Sequence, residues 1–168
     1  ATSELENWQN IYHFIILPMH QEPYEVVKET FESLKNNRYP KEKFIVVLAT
    51  EENGDPEISA TAKKIADEYG KEFFQFLVTC HPKNLPGEIP GKGSNTAWAA
   101  REAKNLIIDK LRIPCENILV SVFDVDTQVF PQYFGCLTYN FLHADDPQHS
   151  SYQPVPFFTN NIYQAPAL

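Results

Sequence analysis

Long apolar runs are missing from this chain of 168 residues. No stretch reaches the roughly 20 residues that a membrane-spanning helix needs, and no secretory leader pattern opens the sequence. Basic residues are scarce: 14 Lys and Arg stand against 22 Asp and Glu, a formal net charge of -8. That balance argues against a nucleic-acid binder that works by covering phosphates with cations. The deficit is also uneven. Beyond Arg112 come Glu116, Asp124, Asp126, Asp145 and Asp146, with no Lys or Arg. An anion bound by that half therefore needs a metal, or a cation from earlier in the chain. For Asp145 and Asp146 a solvated acidic surface is the ordinary reading. Cysteine is limited to Cys80, Cys115 and Cys136. Three scattered thiols without a CxxC pair fit a reducing compartment rather than a disulfide framework or a zinc site, and read as ordinary buried thiols. The histidines are scattered too, and no two of them have a metal-ligand spacing.

What is present is a soluble core-forming composition, 43% hydrophobic and 21% charged, expected to fold as a single domain over residues 1–168. Strand and helix patterns alternate. Tyr12 to Leu17 is a short apolar run stopped by Pro18 and reads as a buried strand. Pro23 suits a first helical turn, and Val26, Val27, Thr30, Phe31 and Leu34 then recur at helical spacing. Phe44 to Ala49 predicts a second strand. Asp55-Pro56 can cap and start a second helix through Ile58, Ala62, Ile65 and Tyr69, closed by Gly70. Phe73 to Thr79 predicts a third strand, and the Pro- and Gly-rich stretch from Cys80 to Gly93 a loop. Ser94 or Asn95 can cap a third helix through Ala97, Ala100, Ala103 and Leu106. Ile118 to Phe123 predicts a fourth strand, apolar enough to be central. Such alternation implies an α/β fold: an open, mostly parallel sheet with helices on both faces. Ligands in these folds sit at the carboxyl ends of the strands, near a topological switch point. The polar segments there are His20 to Glu22, Thr50 to Asp55, the Pro/Gly loop, and Asp124 to Asp126.

Asp124 and Asp126 are two apart at a strand end, so in extended chain they project to the same side. Carboxylates that close favour a shared proton or a divalent cation, and hard oxygen ligands suit Mg²⁺ or Mn²⁺. The competing reading makes Asp126 a cap for a helix near Pro131. In Pro86 to Asn95, Lys92 stands between Gly91 and Gly93 just before a helix start, where backbone N–H groups, a helix dipole and an ammonium can gather around phosphate. It is no Walker loop, because Pro86 replaces the first glycine and Gly93 follows the lysine. A plain surface loop is the alternative. Glu22, Glu51, Glu52 and Asp55 can hydrogen-bond a base or ribose, or cap helix starts. Phe157 and Phe158, in Gln153 to Phe158, fit burial under the sheet.

Taken in order, these segments resemble family 2 glycosyltransferases of the GT-A type, Rossmann-like nucleotide-binding fold. Pro18-Met19-His20-Gln21-Glu22 is similar to that family's Pro-x-x-x-Glu, and Ser33-Leu34 with Tyr39-Pro40 to its approach to the second strand. Gly91-Lys92-Gly93 with Asn95 is similar to the Gly-Lys…Asn segment, and Asp124-Val125-Asp126-Thr127 with Pro131 to the metal-binding DxD. Gln153 to Phe158 resembles the Gln-x-Pro-x-Phe-Phe stretch of membrane-embedded polysaccharide synthases. The resemblance runs from about Phe14 to Asn160. It implies binding of a nucleotide-diphosphate sugar, with UDP as the expected nucleotide, and inverting transfer to a carbohydrate or lipid-linked acceptor hydroxyl.

By position, the resemblance puts Glu22 and one of Glu51 or Glu52 near uracil or ribose, and Lys92 by the base or diphosphate, with Asn95 in the same donor segment. Asp124 falls by the ribose or a metal-bound water, and Asp126 by Mn²⁺ or Mg²⁺. Two departures stand out: Ala49-Thr50-Glu51-Glu52 replaces the usual Asp-Asp pair, and the family's acceptor-activating carboxylate belongs after Leu168. No catalytic residue is therefore assigned in this chain, which is expected to be the donor-binding portion of a longer enzyme. The resemblance implies no nucleic-acid partner, and a cytoplasmic location at the membrane face, with membrane association through other parts of the parent. The alternatives are a non-catalytic nucleotide-sugar-binding module and, further off, a haloacid-dehalogenase-like phosphatase. The phosphatase needs a later lysine, which is missing, and carries its motif on the first strand.

Overall fold

The computed structural model describes residues 7–52, 55–89 and 91–155. Phe157, Phe158 and the end of that motif lie outside the described residues. Four strands, β1 (Tyr12–Pro18), β2 (Phe44–Glu51), β3 (Gln75–His81) and β4 (Ile118–Val122), form one sheet in the order β3-β2-β1-β4. Every pairing is parallel, with Ile15 opposite Val46 on one side and Ser121 on the other. The expected open α/β architecture is present. β1 and β2 are the inner strands and are buried on both faces, which is why they read as continuous apolar runs rather than alternating ones.

Helices α1 (Tyr24–Lys35), α2 (Pro56–Tyr69) and α5 (Tyr133–Leu142) cover one face, and α3 (Lys92–Ala103) covers the other. The first core joins Ile15, Leu17, Val46 and Leu48 to Val27, Phe31, Ile65 and Phe134. The second joins Phe14, Ile16, Ile45 and Val47 to Ala99, Ala103 and Ile107. Chain direction explains the split. α1 and α2 carry the chain outward from β1 to β3, whereas α3 carries it back across the sheet to β4, and a crossover of the same hand then lies on the opposite face. After α3 the helix widens into a π turn over Lys104–Ile108, then closes with one α turn, α4 (Asp109–Leu111), at a left-handed Arg112 with φ 53°. Among the described residues no helix is long and apolar enough to cross a membrane.

Local expectations hold unevenly. α1 follows Pro23 and ends at Asn36, and Asp55 caps α2 by accepting the Glu57 N–H at 2.9 Å. Gly70 closes α2 in a right-handed conformation, not a left-handed cap. β3 starts two residues later than the apolar run implies, because Phe74 N–H is taken by Lys41 O at 3.0 Å and Phe73 is buried in the first core. Neither Ser94 nor Asn95 is the cap of α3. The helix starts three residues before Asn95, after Gly91. All three cysteines are exposed, so the buried-thiol reading is corrected.

β4 corrects a larger expectation. It is an edge strand of the described sheet, paired only with β1. Leu119 and Ser121 are buried against the α5 face, but Val120 and Val122 remain 59% and 46% exposed. α3 packs over β1, β2 and β3, and among the described residues this face of β4 stays exposed. Apolar content alone could not distinguish an inner strand from an edge strand whose second face is uncovered.

The α5 face is fastened through a buried imidazole. His13 is fully buried in β1, its Nε2 lies 2.8 Å from Thr138 Oγ1 of α5, and its ring packs among Tyr39, Phe44 and Phe134. Its Nδ1 has no hydrogen-bond partner among the described residues. Burial pushes the His13 pKa down from 6.5 to about 3, so the ring is neutral in the fold. An unfolded chain takes up this proton below about pH 6.5, and the folded one does not until about pH 3. His13 therefore contributes stability fully above pH 6.5, and that contribution drains away as pH falls toward 3, at up to about 1.4 kcal/mol per pH unit. Urea unfolding of the wild type should show this extra slope between pH 6 and pH 4, and the His13→Phe/Thr138→Val double variant should lack it. Equal slopes for the two proteins would refute the assignment.

Candidate functional site

The strand order places a topological switch point between β1 and β4. From β1 the chain moves to β2 and β3 on one side, then returns to β4 on the other. The carboxyl ends of β1 and β4 lead directly into His20 to Glu22 and Asp124 to Asp126, so two of the acidic segments flank the crevice where such sheets bind ligands.

The acid pair does not continue the strand. β4 ends at Val122, and Asp124 to Thr127 form a turn closed by Thr127 N–H to Asp124 O at 2.9 Å. Between the two acids Val125 is 1% exposed and belongs to the first core, while Asp124 and Asp126 are both solvent-facing. The extended strand end expected at the acid pair is therefore replaced by a turn, and both acids are exposed about a buried valine. The loop is held by α1. Thr30 Oγ1 donates to Val125 O at 2.7 Å, Ser33 Oγ accepts from Val129 N–H at 3.2 Å, and Asn37 Nδ2 donates to Phe130 O at 2.9 Å. Arg38 N–H adds a bond to Pro131 O at 2.8 Å. Asp126 caps no helix: α5 begins at Tyr133 after Gln132, and the Asp126 carboxylate has no partner among the described residues.

The Lys92 ammonium is ion-paired with the Asp124 carboxylate, and both side chains are more than half exposed, at 57% and 66%. Thus the first turn of α3, on one face of the sheet, reaches the loop after β4. Asn95 shows how. It is buried, and its Nδ2 donates to Ala49 O at 3.0 Å, while Met19 N–H donates to the same carbonyl at 2.8 Å. One carbonyl of β2 therefore anchors both the exit of β1 and the start of α3. Asn95 Oδ1 is buried without a partner among the described residues.

The remaining candidates are placed more locally. Glu22 Oε2 accepts from His20 N–H at 2.7 Å and shapes the turn after β1. Glu51 is the last residue of β2 and stands opposite His81 of β3. Glu52 Oε2 accepts from Lys83 N–H at 3.1 Å and its own N–H donates to His81 O at 2.9 Å, so it stitches β2 to the Pro/Gly loop. That loop also carries a latch that the sequence did not reveal. Glu88 bonds His81 Nε2 at 2.8 Å with one oxygen and accepts from Arg101 Nη2 at 3.1 Å with the other. The two bonds, His81 first, hold its carboxyl below the usual carboxylate range. Left-handed Asn84 (φ 59°) and Gly87 (φ 82°) let the chain double back so that Glu88 meets these partners. Gly91, at φ 146°, turns it into α3.

Two exposed carboxylates, Asp124 and Asp126, could hold a cation here. No group of three or more His, Cys, Asp or Glu side chains gathers among the described residues. Mg²⁺ is commonly held by one or two carboxylates with substrate phosphates completing the shell, so the pair suits a cation that arrives with a phosphorylated ligand. An ammonium already sits on one of them, and attracts the same ligand charge. A separate apolar groove of about 420 Å³, lined by Trp8, Tyr39, Pro131, Tyr139 and Leu142 among others, includes none of the candidate acids. Compared with known proteins, the chain matches no family model and no curated sequence.

Two outcomes test this geometry. Thr30→Val leaves the Val125 carbonyl buried without its donor and should cost about 1–3 kcal/mol in urea unfolding. An isosteric Thr30→Val variant as stable as wild type would show that the bond does not hold the acid loop. Glu88→Gln should speed amide hydrogen exchange over residues 83–89 while leaving α1 unchanged. Unaltered exchange there would remove the latch.

Proposed function

We propose that this chain binds a nucleotide-diphosphate sugar, with UDP as the expected nucleotide, together with Mn²⁺ or Mg²⁺, and serves inverting glycosyl transfer to an acceptor hydroxyl. The observation that carries the reading is the convergence of Lys92 with Asp124, beside Asp126, which has no partner among the described residues, at the switch point of a parallel sheet. The ordered resemblance to family 2 glycosyltransferases supports it. A polysaccharide synthase parent, acting at the cytoplasmic face of a membrane on a carbohydrate or lipid-linked acceptor, belongs to the same proposal.

In that reaction the acceptor oxygen attacks the anomeric carbon and the nucleoside diphosphate departs with increased negative charge. Groups aimed at that charge lower the barrier because they are already oriented when it develops. Asp124 and Asp126 would hold the divalent cation, which supplies Lewis-acid stabilisation of the diphosphate. Lys92, at the N-terminal end of α3, adds an ammonium and a helix dipole of the same sign. Glu22 and Glu51 or Glu52, at the ends of β1 and β2, supply acceptors for the base or ribose. Asn95 serves by holding the start of α3 to Ala49. Donor binding is the part of the reaction to which these residues are assigned; no acceptor-activating base is assigned among them.

A thermal-shift titration with uridine diphosphate and Mn²⁺ tests the reading. At a hundredfold excess over Kd, binding to the native state adds about 2.7 kcal/mol, a rise of roughly 5–10 °C for a domain of this size. The rise should require both components and vanish in Asp126→Ala. A metal-dependent shift that survives Asp126→Ala would remove Asp126 from the site, and no shift at any concentration would remove the donor assignment.

A further inference from the structure

We infer that Lys92 is a built-in counter-cation for the acid pair, competing with a divalent cation for Asp124. The inference rests on reading Asp124 and Asp126 as cation ligands, and it adds a regulation of that site. Three observations carry it. First, the Lys92 ammonium is bonded to Asp124, one of the two proposed ligands, whereas Asp126 has no partner among the described residues. Second, both ends of the contact are held by separate anchors. Asn95 bonds the first turn of α3 to Ala49, and Thr30 bonds the acid loop at Val125, so the ammonium and the carboxylate each extend from an anchored segment. Third, no Lys or Arg lies beyond Arg112, so Lys92 reaches this loop from an earlier part of the chain.

Lys92 occupies Asp124 Oδ1, so a divalent cation drawn to that oxygen would compete with the ammonium, because the two cations repel at contact distance. Lys92 would then be freed. The freed ammonium is then positioned to meet the diphosphate, the one anion expected to arrive with the metal. Lys92 thus penalises a bare cation and rewards one that brings phosphate. Because the pair is exposed, the penalty is modest: breaking such a contact changes binding by about 2- to 5-fold. By linkage, whatever Lys92 takes from metal affinity in the absence of nucleotide reappears as coupling between nucleotide and metal.

The test is Mn²⁺ binding to the full chain, read from the loss of the free-ion electron paramagnetic resonance signal, with and without uridine diphosphate. Lys92→Met should bind Mn²⁺ alone about 2- to 5-fold more tightly than wild type, and the gain in Mn²⁺ affinity on adding uridine diphosphate should shrink. Lys92→Arg, which keeps the cation, should behave as wild type. Asp126→Asn should weaken Mn²⁺ binding whatever stands at position 92. If Lys92→Met binds Mn²⁺ no more tightly while Asp126→Asn weakens it, the counter-cation idea is overturned and the metal site stands. Mn²⁺ binding unaffected by Asp126→Asn and Asp124→Asn, or no binding to wild type and Lys92→Met alike, overturns both. Circular dichroism of each variant confirms that the fold is retained.

Discussion

The hydrogen bond from Thr30 Oγ1 to Val125 O is the constraint on which the candidate site depends. A loop leaving an edge strand has few backbone partners of its own, and one that must expose two carboxylates cannot gain stability by burying them. Here burial falls to the residue between them. Val125 enters the core under α1, and its carbonyl, which would otherwise be buried and unpaired, receives the threonine hydroxyl. With the valine and its carbonyl fixed, the side chains on either side face solvent.

A second junction does the same for the cation. Ala49 O accepts from both Met19 N–H and Asn95 Nδ2, so the ends of β1 and β2 and the first turn of α3 meet at one atom. The Pro/Gly loop before α3 is closed independently by Glu88 between His81 and Arg101. Lys92 therefore stands on a helix start fastened on two sides, although the residue itself is exposed. This is how a loop-borne site attains a defined geometry: the reactive groups are on the surface, and the hydrogen bonds that aim them are underneath.

Much of this was legible in the chain. The apolar run of β1 announced a buried strand and that of β2 a second strand, and the stripe of Val27, Phe31 and Leu34 announced a helix. Asp55-Pro56 announced a capped helix start. Other features carried no local mark. Thr30 read only as one position of the helical stripe, since its partner is 95 positions away. His81 and Glu88 had no metal or catalytic spacing, because the loop between them is shaped by left-handed Asn84 and Gly87. The edge position of β4 was hidden for a related reason: a strand's hydrophobicity reports what it could bury, not what covers it.

Sequence by itself determined the elements, their alternation, and the polar segments that follow each strand, because periodicity, capping and proline placement act over a few residues. Tertiary structure alone decided that β4 lies beside β1, that Lys92 reaches Asp124, that Asn95 points into the core, and that Val125 splits the acid pair into two exposed groups. Each of these depends on contacts between residues 30 or more positions apart. Such contacts form only when crossover handedness and core packing select one arrangement of the sheet.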